Sequence, residues 1–338
     1  MSDGFRVLCV GAGYFAAFHH EAWKRHPSTE LTAVVDQDLT RASAIGVGAY
    51  QSLADALTHE TPDIIDLVVP PPAHRILIEE ALRAEPRAII CQKPFGTSLE
   101  EARDLARMAD DAGIHLIVHE NFRFQPWYRK ASELMHSGAL GVVHQATFRF
   151  RTGDGQGPEA YLDRQPYFQT MPRLLIHETG VHWIDTFRYL LGPIQGVYAE
   201  LRRMNPIIVG EDAGYVVFSF ADNVRAVFDG NRLLDHPGEN TRLTFGQALI
   251  EGTEGTLELS GSGALTFRKF GSLHEDIVLA AQDWPGFAGD CVYALNAHVV
   301  AALEGKGTLE NKALDYLAVR EVEEAIYRSD EEKRWIAL

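Results

Sequence analysis

Apolar runs and polar breaks alternate along the first third of the chain in a rhythm that predicts strands and helices in turn. Phe5 to Val10 reads as a strand, a helical stretch runs to about His26, and Glu30 to Asp36 reads as a second strand. Residues 38–45 and 52–58 read as helices, Asp63 to Val69 as a strand, and Ala73 to Ala84 as a helix. The next apolar run, IICQKPFG from Ile89 to Gly96, has the short continuous form of a parallel strand buried on both faces, and it stops at Lys93-Pro94. Proline fixes its own φ and pushes the residue before it away from helix, so Lys93 is expected at a rigid strand end. Ser98 caps a helix to Ala112, with Glu100 and Glu101 near its positive end, and His115 to His119 is one more strand. This alternation predicts an α/β Rossmann domain, a doubly wound parallel sheet, over residues 1–120.

After Glu120 the rhythm changes. One helix, Gln125 to Ser137, is followed by strand-like runs at Val142 to Thr152, Gly196 to Met204, Gly214 to Ala221, Asn223 to Asn231, Thr241 to Glu251 and Thr256 to Ser260. A long helix at Ile176 to Leu191 interrupts them, and helices at Ala288 to Leu303 and Asn311 to Ser329 close the chain. The expectation for residues 121–338 is an α+β domain with a large, mostly antiparallel open sheet. The loop Gly153 to Pro172, rich in Gly, Pro, Arg and Tyr, is expected as a substrate-contacting flap.

Between the first strand and the first helix stands G-x-G-x-x-A, Gly11 to Ala16, with Asp36 at the end of the second strand. As a bare string the pattern is weak; between a strand and a helix it is a dinucleotide fingerprint. Gly11 permits the tight turn, Gly13 lets the backbone approach a pyrophosphate, and Ala16 keeps helix and strand close. The helix then turns free N–H groups toward phosphate. A carboxylate at Asp36 accepts from ribose hydroxyls and repels a 2′-phosphate, which favours NAD over NADP, although Arg41 lies five residues on.

In the second domain, Leu174 to Asp185 reads LLIHETGVHWID. A zinc helix of the H-E-x-x-H type needs its histidines four apart; His177 and His182 are five apart, which at an α-helical pitch sends them in different directions. No metal site is expected. Glu178 and His182 are four apart and share a face, a carboxylate beside an imidazole, which is the arrangement of a general base. Taken alone, His182 reads more readily as a half-buried histidine on a helix that packs through Trp183, Ile184, Phe187, Leu190 and Leu191. On residues 89 to 96 alone, Lys93 likewise reads as loop punctuation, and His177 either contacts substrate or caps the preceding loop.

Composition narrows the class. Hydrophobic residues make up 46% and charged residues 23% of 338, an ordinary globular balance, and the length suggests two domains. Net charge is −16, whereas a nucleic-acid surface is basic, so no nucleic-acid partner is expected. No run approaches the ~18 apolar residues of a membrane span. Cys9, Cys91 and Cys291 are scattered, without redox or metal spacing, and a reduced cytoplasmic setting is expected.

Together, GAGYFA with Asp36, Pro71-Pro72 with His74, QKP, Asn121 with Arg123, and GVHWID resemble the Gfo/Idh/MocA family, the glucose–fructose oxidoreductase and inositol dehydrogenase group. The resemblance covers nearly the whole chain. By position Lys93 looks like the lysine of the family's E-K-P motif, and Glu178 and His182 like the acid and histidine of its D-x-G-x-H segment. It implies that Gly11, Ala12, Gly13, Tyr14, Phe15 and Asp36 hold the dinucleotide, with Pro70, Pro71, His74, Gln92 and Lys93 at the following strand ends. Two departures stand out: Gln92 replaces the usual glutamate, and Glu178 is one methylene longer than the usual aspartate. The segments RQPYF, LLIHETGVH and GEDAG resemble the branch that contains D-apiose dehydrogenases, which oxidise a branched pentose to its lactone with NAD.

The activity implied is oxidation of a sugar or polyol hydroxyl by hydride transfer to nicotinamide. His182, oriented by Glu178, takes the hydroxyl proton, and Lys93 hydrogen-bonds the same oxygen. Arg123, Arg151, Arg164, Tyr161, Tyr167 and His177 are candidate hydroxyl-binding groups, each reading singly as an ordinary loop or surface residue as well. Alternatives are an inositol or keto-sugar dehydrogenase, an NAD-using glycosidase of the same clan, and a non-catalytic dinucleotide sensor. A homodimer or homotetramer is expected from the family's open sheet.

Overall fold

The apolar runs of the first third fold as β1 (Phe5–Val10), β2 (Thr29–Val35), β3 (Gly48–Tyr50), β4 (Ile64–Leu67), β5 (Ala88–Cys91) and β6 (His115–Val118). In the computed structural model, which describes residues 4–338, they form one parallel sheet in the order β3-β2-β1-β4-β5-β6. Strands β4 and β5 are buried at every residue, as a sheet covered on both faces requires; β5 is unbroken apolar, and β4 carries one buried carboxylate, Asp66. Successive strands are laid down outward from β1 in one direction and then, from β4, in the other, which opens a crevice at the carboxyl ends of β1 and β4. The predicted Rossmann sheet is therefore present. Sequence periodicity did not reveal β3, whose three residues Gly-Ala-Tyr are too few to show one.

Among the described residues this unit comprises 4–121 and 291–320. Sequence patterning had given everything after residue 120 to the second domain, but the helix Cys291–Leu303 packs on the helix Ala16–Arg25. Its buried stripe runs through Cys291, Val292, Leu295, Val299 and Val300, and Arg25 stacks over Tyr293 at 4.2 Å. Asn311 and Tyr316 then donate to the carbonyl and carboxylate of Glu120 at 2.6 and 3.2 Å.

The second unit, residues 122–290 and 321–338, holds a nine-stranded sheet. Its strands are β7 (Val143–Phe150), β8 (Gly196–Arg202), β9 (Ala213–Ser219), β10 (Arg225–Asn231), β11 (Gly246–Gly252), β12 (Gly255–Leu259), β13 (Leu265–Lys269), β14 (Asp276–Leu279) and β15 (Ile336–Ala337). The order is β14-β13-β12-β11-β7-β10-β9-β8-β15, antiparallel throughout except that β7 and β10 run parallel at its centre. A large, mostly antiparallel sheet is what the sequence predicted, but β13, β14 and β15 went unread; they are short or exposed edge strands with little alternation. The run expected as one strand from Thr241 starts instead as a helical turn, Thr241–Thr244, capped by the Asn240 side chain. Phe245 then adopts φ +61° before β11 begins.

An aromatic cluster centres this unit. Trp183 stacks on Phe148 at 4.2 Å and meets Phe122, Phe150 and Phe228 within 5.4 Å. Each such pair contributes roughly 0.5–1.5 kcal/mol beyond area burial. The loop expected as a flap is packed rather than free: Ala160, Tyr161 and Phe168 form a small core with Leu174 and Ile208.

Candidate active site

The loop after β1 turns sharply because Gly11 adopts φ +116°, and a side chain there would strike the carbonyl oxygen of Val68. Gly13, by contrast, faces open space, with nothing within 4 Å of where a Cβ would stand. Asp36 closes the loop from the end of β2: Ala12 N–H donates to Oδ2 at 2.8 Å and Asp38 N–H to Oδ1 at 2.9 Å. Tyr14 is exposed and Phe15 half-buried, and the helix begins at Ala16. Arg41 is turned onto Asp38 at 3.3 Å. An open glycine backbone, a helix start and a carboxylate at the sheet's switch point fit a bound dinucleotide.

After β4, Pro70 and Pro71 lead into the turn Pro71–Ala73. His74 was expected to contact cofactor; instead its ring is fully buried and both nitrogens are taken by the chain. Nε2 lies 3.0 Å from the Val69 carbonyl, and Gly96 N–H donates to Nδ1 at 3.3 Å. Burial lowers its pKa to about 4, so the ring is a neutral clamp between two strand-end loops. Between those loops Lys93 is half-buried, one residue beyond Gln92, and the Lys93–Pro94 peptide is cis.

In the second unit, Leu175–Gly180 forms a π-helical turn before the α-helix Val181–Leu191. The α-helical residue count that separated His177 from His182 does not hold through such a turn, and π turns recur at functional sites. The two rings nevertheless engage different partners. His182, 6% exposed, lies flat on Phe122 with centroids 3.8 Å apart and planes 5° apart. The His177 Nδ1 is 2.6 Å from Oε1 of Glu323, whose carboxylate is fully buried. Glu211 secures the turn beneath: its carboxylate accepts from Ile176 N–H at 3.0 Å and from the Tyr327 hydroxyl at 2.6 Å, and that hydroxyl also accepts from His177 N–H. Burial, followed by the charges of Glu211 and Glu323, pushes the Tyr327 hydroxyl far up, so it stays protonated. Glu178 is half-buried in the same turn, within electrostatic reach of Tyr167 and Arg232.

Three arginines expected to bind hydroxyls are committed elsewhere. Arg123 forms a two-pronged pair with the buried Asp185, at 2.8 and 2.5 Å. Arg151 is 6% exposed and grips Asp229 at 2.5 Å together with two carbonyls. Arg164 is paired with Asp154 at 3.0 Å. Each is thereby tied to a carboxylate of its own unit. Tyr167 alone among the loop candidates is exposed, and Tyr161 lies buried beside Arg232. Sequence reasoning missed Arg232, which is buried, bonded to Thr179 and flanked by three aromatic rings. Glu323, 146 residues from its histidine, gave no sequence signal.

Residues 5–120 match the model described as the oxidoreductase family, NAD-binding Rossmann fold, and residues 128–258 match the Gfo/Idh/MocA C-terminal domain. A D-apiose dehydrogenase of Paraburkholderia graminis is 30% identical, covering 99% of this chain and 90% of that protein. The chain belongs to the Gfo/Idh/MocA family of oxidoreductases. A D-apiose dehydrogenase of Rhizobium rhizogenes is 29% identical over 95% of the chain and 93% of its own length. Among solved structures of this family's fold, an oxidoreductase from Agrobacterium radiobacter in complex with NAD+, L-tartaric acid and magnesium superposes with a TM-score of 0.88. It is 26% identical, with 98% of each chain covered. The family and fold read from the sequence are both borne out, and among the described residues no helix is long and apolar enough to cross a membrane.

Proposed function

We propose that this chain is an NAD-dependent dehydrogenase that oxidises a hydroxyl of a small sugar or polyol, with D-apiose as the first substrate to test. The observation that carries the reading is Lys93, held half-buried at the carboxyl end of β5, beside the strand-end loops of a dinucleotide-binding sheet. NAD is favoured over NADP by Asp36, whose carboxylate is fixed at the end of β2 where a 2′-phosphate would be repelled. The cofactor, when bound, supplies the hydride acceptor; the protein groups position and polarise.

Lys93 donates a hydrogen bond to the substrate hydroxyl oxygen and stabilises the negative charge that develops there. His182 takes the hydroxyl proton, its ring plane fixed by the face of Phe122. Glu178 orients the imidazole and keeps its proton-accepting nitrogen toward the substrate. His177, fixed at Nδ1 by Glu323, offers Nε2 to a second hydroxyl. Exposed Tyr198, Tyr215 and Leu249 on the second sheet support assembly as a homodimer or homotetramer, which light scattering reads directly; a monomer at assay concentration would dismiss it.

The test is NADH formation across free pentoses, hexoses and inositols. D-apiose is expected to give the highest kcat/KM, Lys93→Met to abolish turnover while NAD still binds, and His182→Ala to cost about 10²–10⁴ in rate. Substantial turnover by Lys93→Met defeats the assignment, and free-sugar release without net NADH from a glycoside would replace it with an NAD-using hydrolase.

A further inference from the structure

Immediately before Lys93, three buried polar side chains join the end of β5 to the first helix. The Gln92 amide nitrogen lies 2.8 Å from Nε2 of His19, and Nδ1 of the same ring lies 2.7 Å from Oδ2 of Asp66. Trp23 donates its indole N–H to that same oxygen at 2.7 Å. His19 and Asp66 are fully buried and Gln92 nearly so, and the His119 ring covers the imidazole with centroids 4.2 Å apart. None of the proton or hydride chemistry above uses these groups.

Their order is fixed by what each atom can do. An amide nitrogen only donates and a carboxylate only accepts. Nε2 of His19 must therefore accept from Gln92, and the single ring proton must sit on Nδ1, facing Asp66. The imidazole is thereby held in one orientation between its two partners. A glutamate at position 92 would set an acceptor against the accepting Nε2 and break the order of the chain.

This chain sits where backbone support ends. Gln92 N–H donates to Leu67 O at 3.1 Å and His119 N–H to Cys91 O at 2.7 Å, the last rungs on either side of β5. Beyond them the Gln92 side chain, bonded to His19, fixes the chain immediately before Lys93. We propose that Asp66, His19 and Gln92 are positioning residues for Lys93, a proton-ordered chain that sets the aim of the lysine; this rests on the reading of Lys93 as the group that meets the substrate oxygen.

The test uses the whole 338-residue protein with nitrogen-15-labelled histidine, His19 being assigned by the signal lost in His19→Gln. The ring is expected to be neutral with its proton on Nδ1; a charged ring, or one protonated on Nε2, overturns the proposal. Gln92→Glu, which sets an acceptor against Nε2, is expected to lower kcat about 10–100-fold, the scale of a misplacement near 1 Å, with NAD affinity nearly unchanged. Gln92→Leu removes the amide donor without adding a charge and is expected to lower kcat about tenfold, with NAD affinity nearly unchanged. Unchanged kcat in Gln92→Glu overturns the proposal. If Gln92→Glu does not fold by circular dichroism, Gln92→Leu decides: folded and slowed supports the chain, folded and fully active overturns it. Normal turnover by Lys93→Met would instead overturn the reading of the lysine, whereas an inactive Lys93→Met beside a fully active Gln92→Glu defeats the positioning chain alone.

Discussion

Replacing Asp185 by leucine removes one half of a buried ion pair and leaves the other. Asp185 is 1% exposed and the Arg123 side chain 13%, with two hydrogen bonds of 2.8 and 2.5 Å between them. Stranding one partner of such a pair costs about 3–5 kcal/mol. Partial exposure of Arg123, and the face of Tyr189 at 5.3 Å from it, place the expected cost near the lower end, about 3 kcal/mol, roughly a hundredfold in an equilibrium. Removing both charges together, in Arg123→Met with Asp185→Leu, is expected to cost less than about 1 kcal/mol, because the desolvation penalty goes with them. Native-state amide exchange along the helix Val181–Leu191 reads the opening free energy where the pair acts, without requiring the two units to unfold together. The double variant should also keep most of its kcat/KM if Arg123 is a staple. A double variant less stable than Asp185→Leu would refute the electrostatic argument. One that is stable but about a hundredfold slower would return Arg123 to the substrate.

Two further outcomes follow from the first unit. His74 takes up a proton near pH 6.5 when unfolded but only near 4 when folded, so the stability it provides is present above 6.5 and lost as pH falls toward 4. That interval corresponds to about 3 kcal/mol, and His74→Gln should flatten the slope of urea stability across it; an unchanged slope would exclude the ring as its source. Gly13→Ala meets open space and should leave the melting temperature unchanged while weakening NAD binding, whereas Gly11→Ala, at φ +116° against Val68, should lower both. Equal melting temperatures for the two variants would contradict the loop geometry.

The sequence made the Rossmann half legible because a parallel strand covered on both faces is a continuous apolar run, and β1, β4 and β5 each end at a glycine or proline punctuation. The second sheet showed itself by its strands' alternation but not at its edges, where β13, β14 and β15 are short and half-solvated. Within the candidate site, the residues on one motif (Gly11, Gly13, Asp36) were readable because their spacing has a physical cause. Partners that meet only through folding were not. Glu323 beside His177, Asp185 beside Arg123 and Asp66 beside His19 lie 146, 62 and 47 residues apart. The π-helical turn was hidden too, since LIHETG satisfies an α-helical pattern equally well and only the buried Glu211 beneath it shows why the extra residue is accommodated.

The parallel pairing of β7 with β10 also bears on how such a chain can diversify. Six consecutive rungs, from Gln145 opposite Arg225 to Phe150 opposite Gly230, lock the register of the two strands whatever the intervening residues are. The chain must leave at one rim and re-enter at the other, and the traverse carries the Gly153–Pro172 loop, the π-helical turn and the helix of His182. Loop length in that traverse, which ends where β8 enters the same sheet, can therefore change in evolution while the strands that anchor its two ends stay constant.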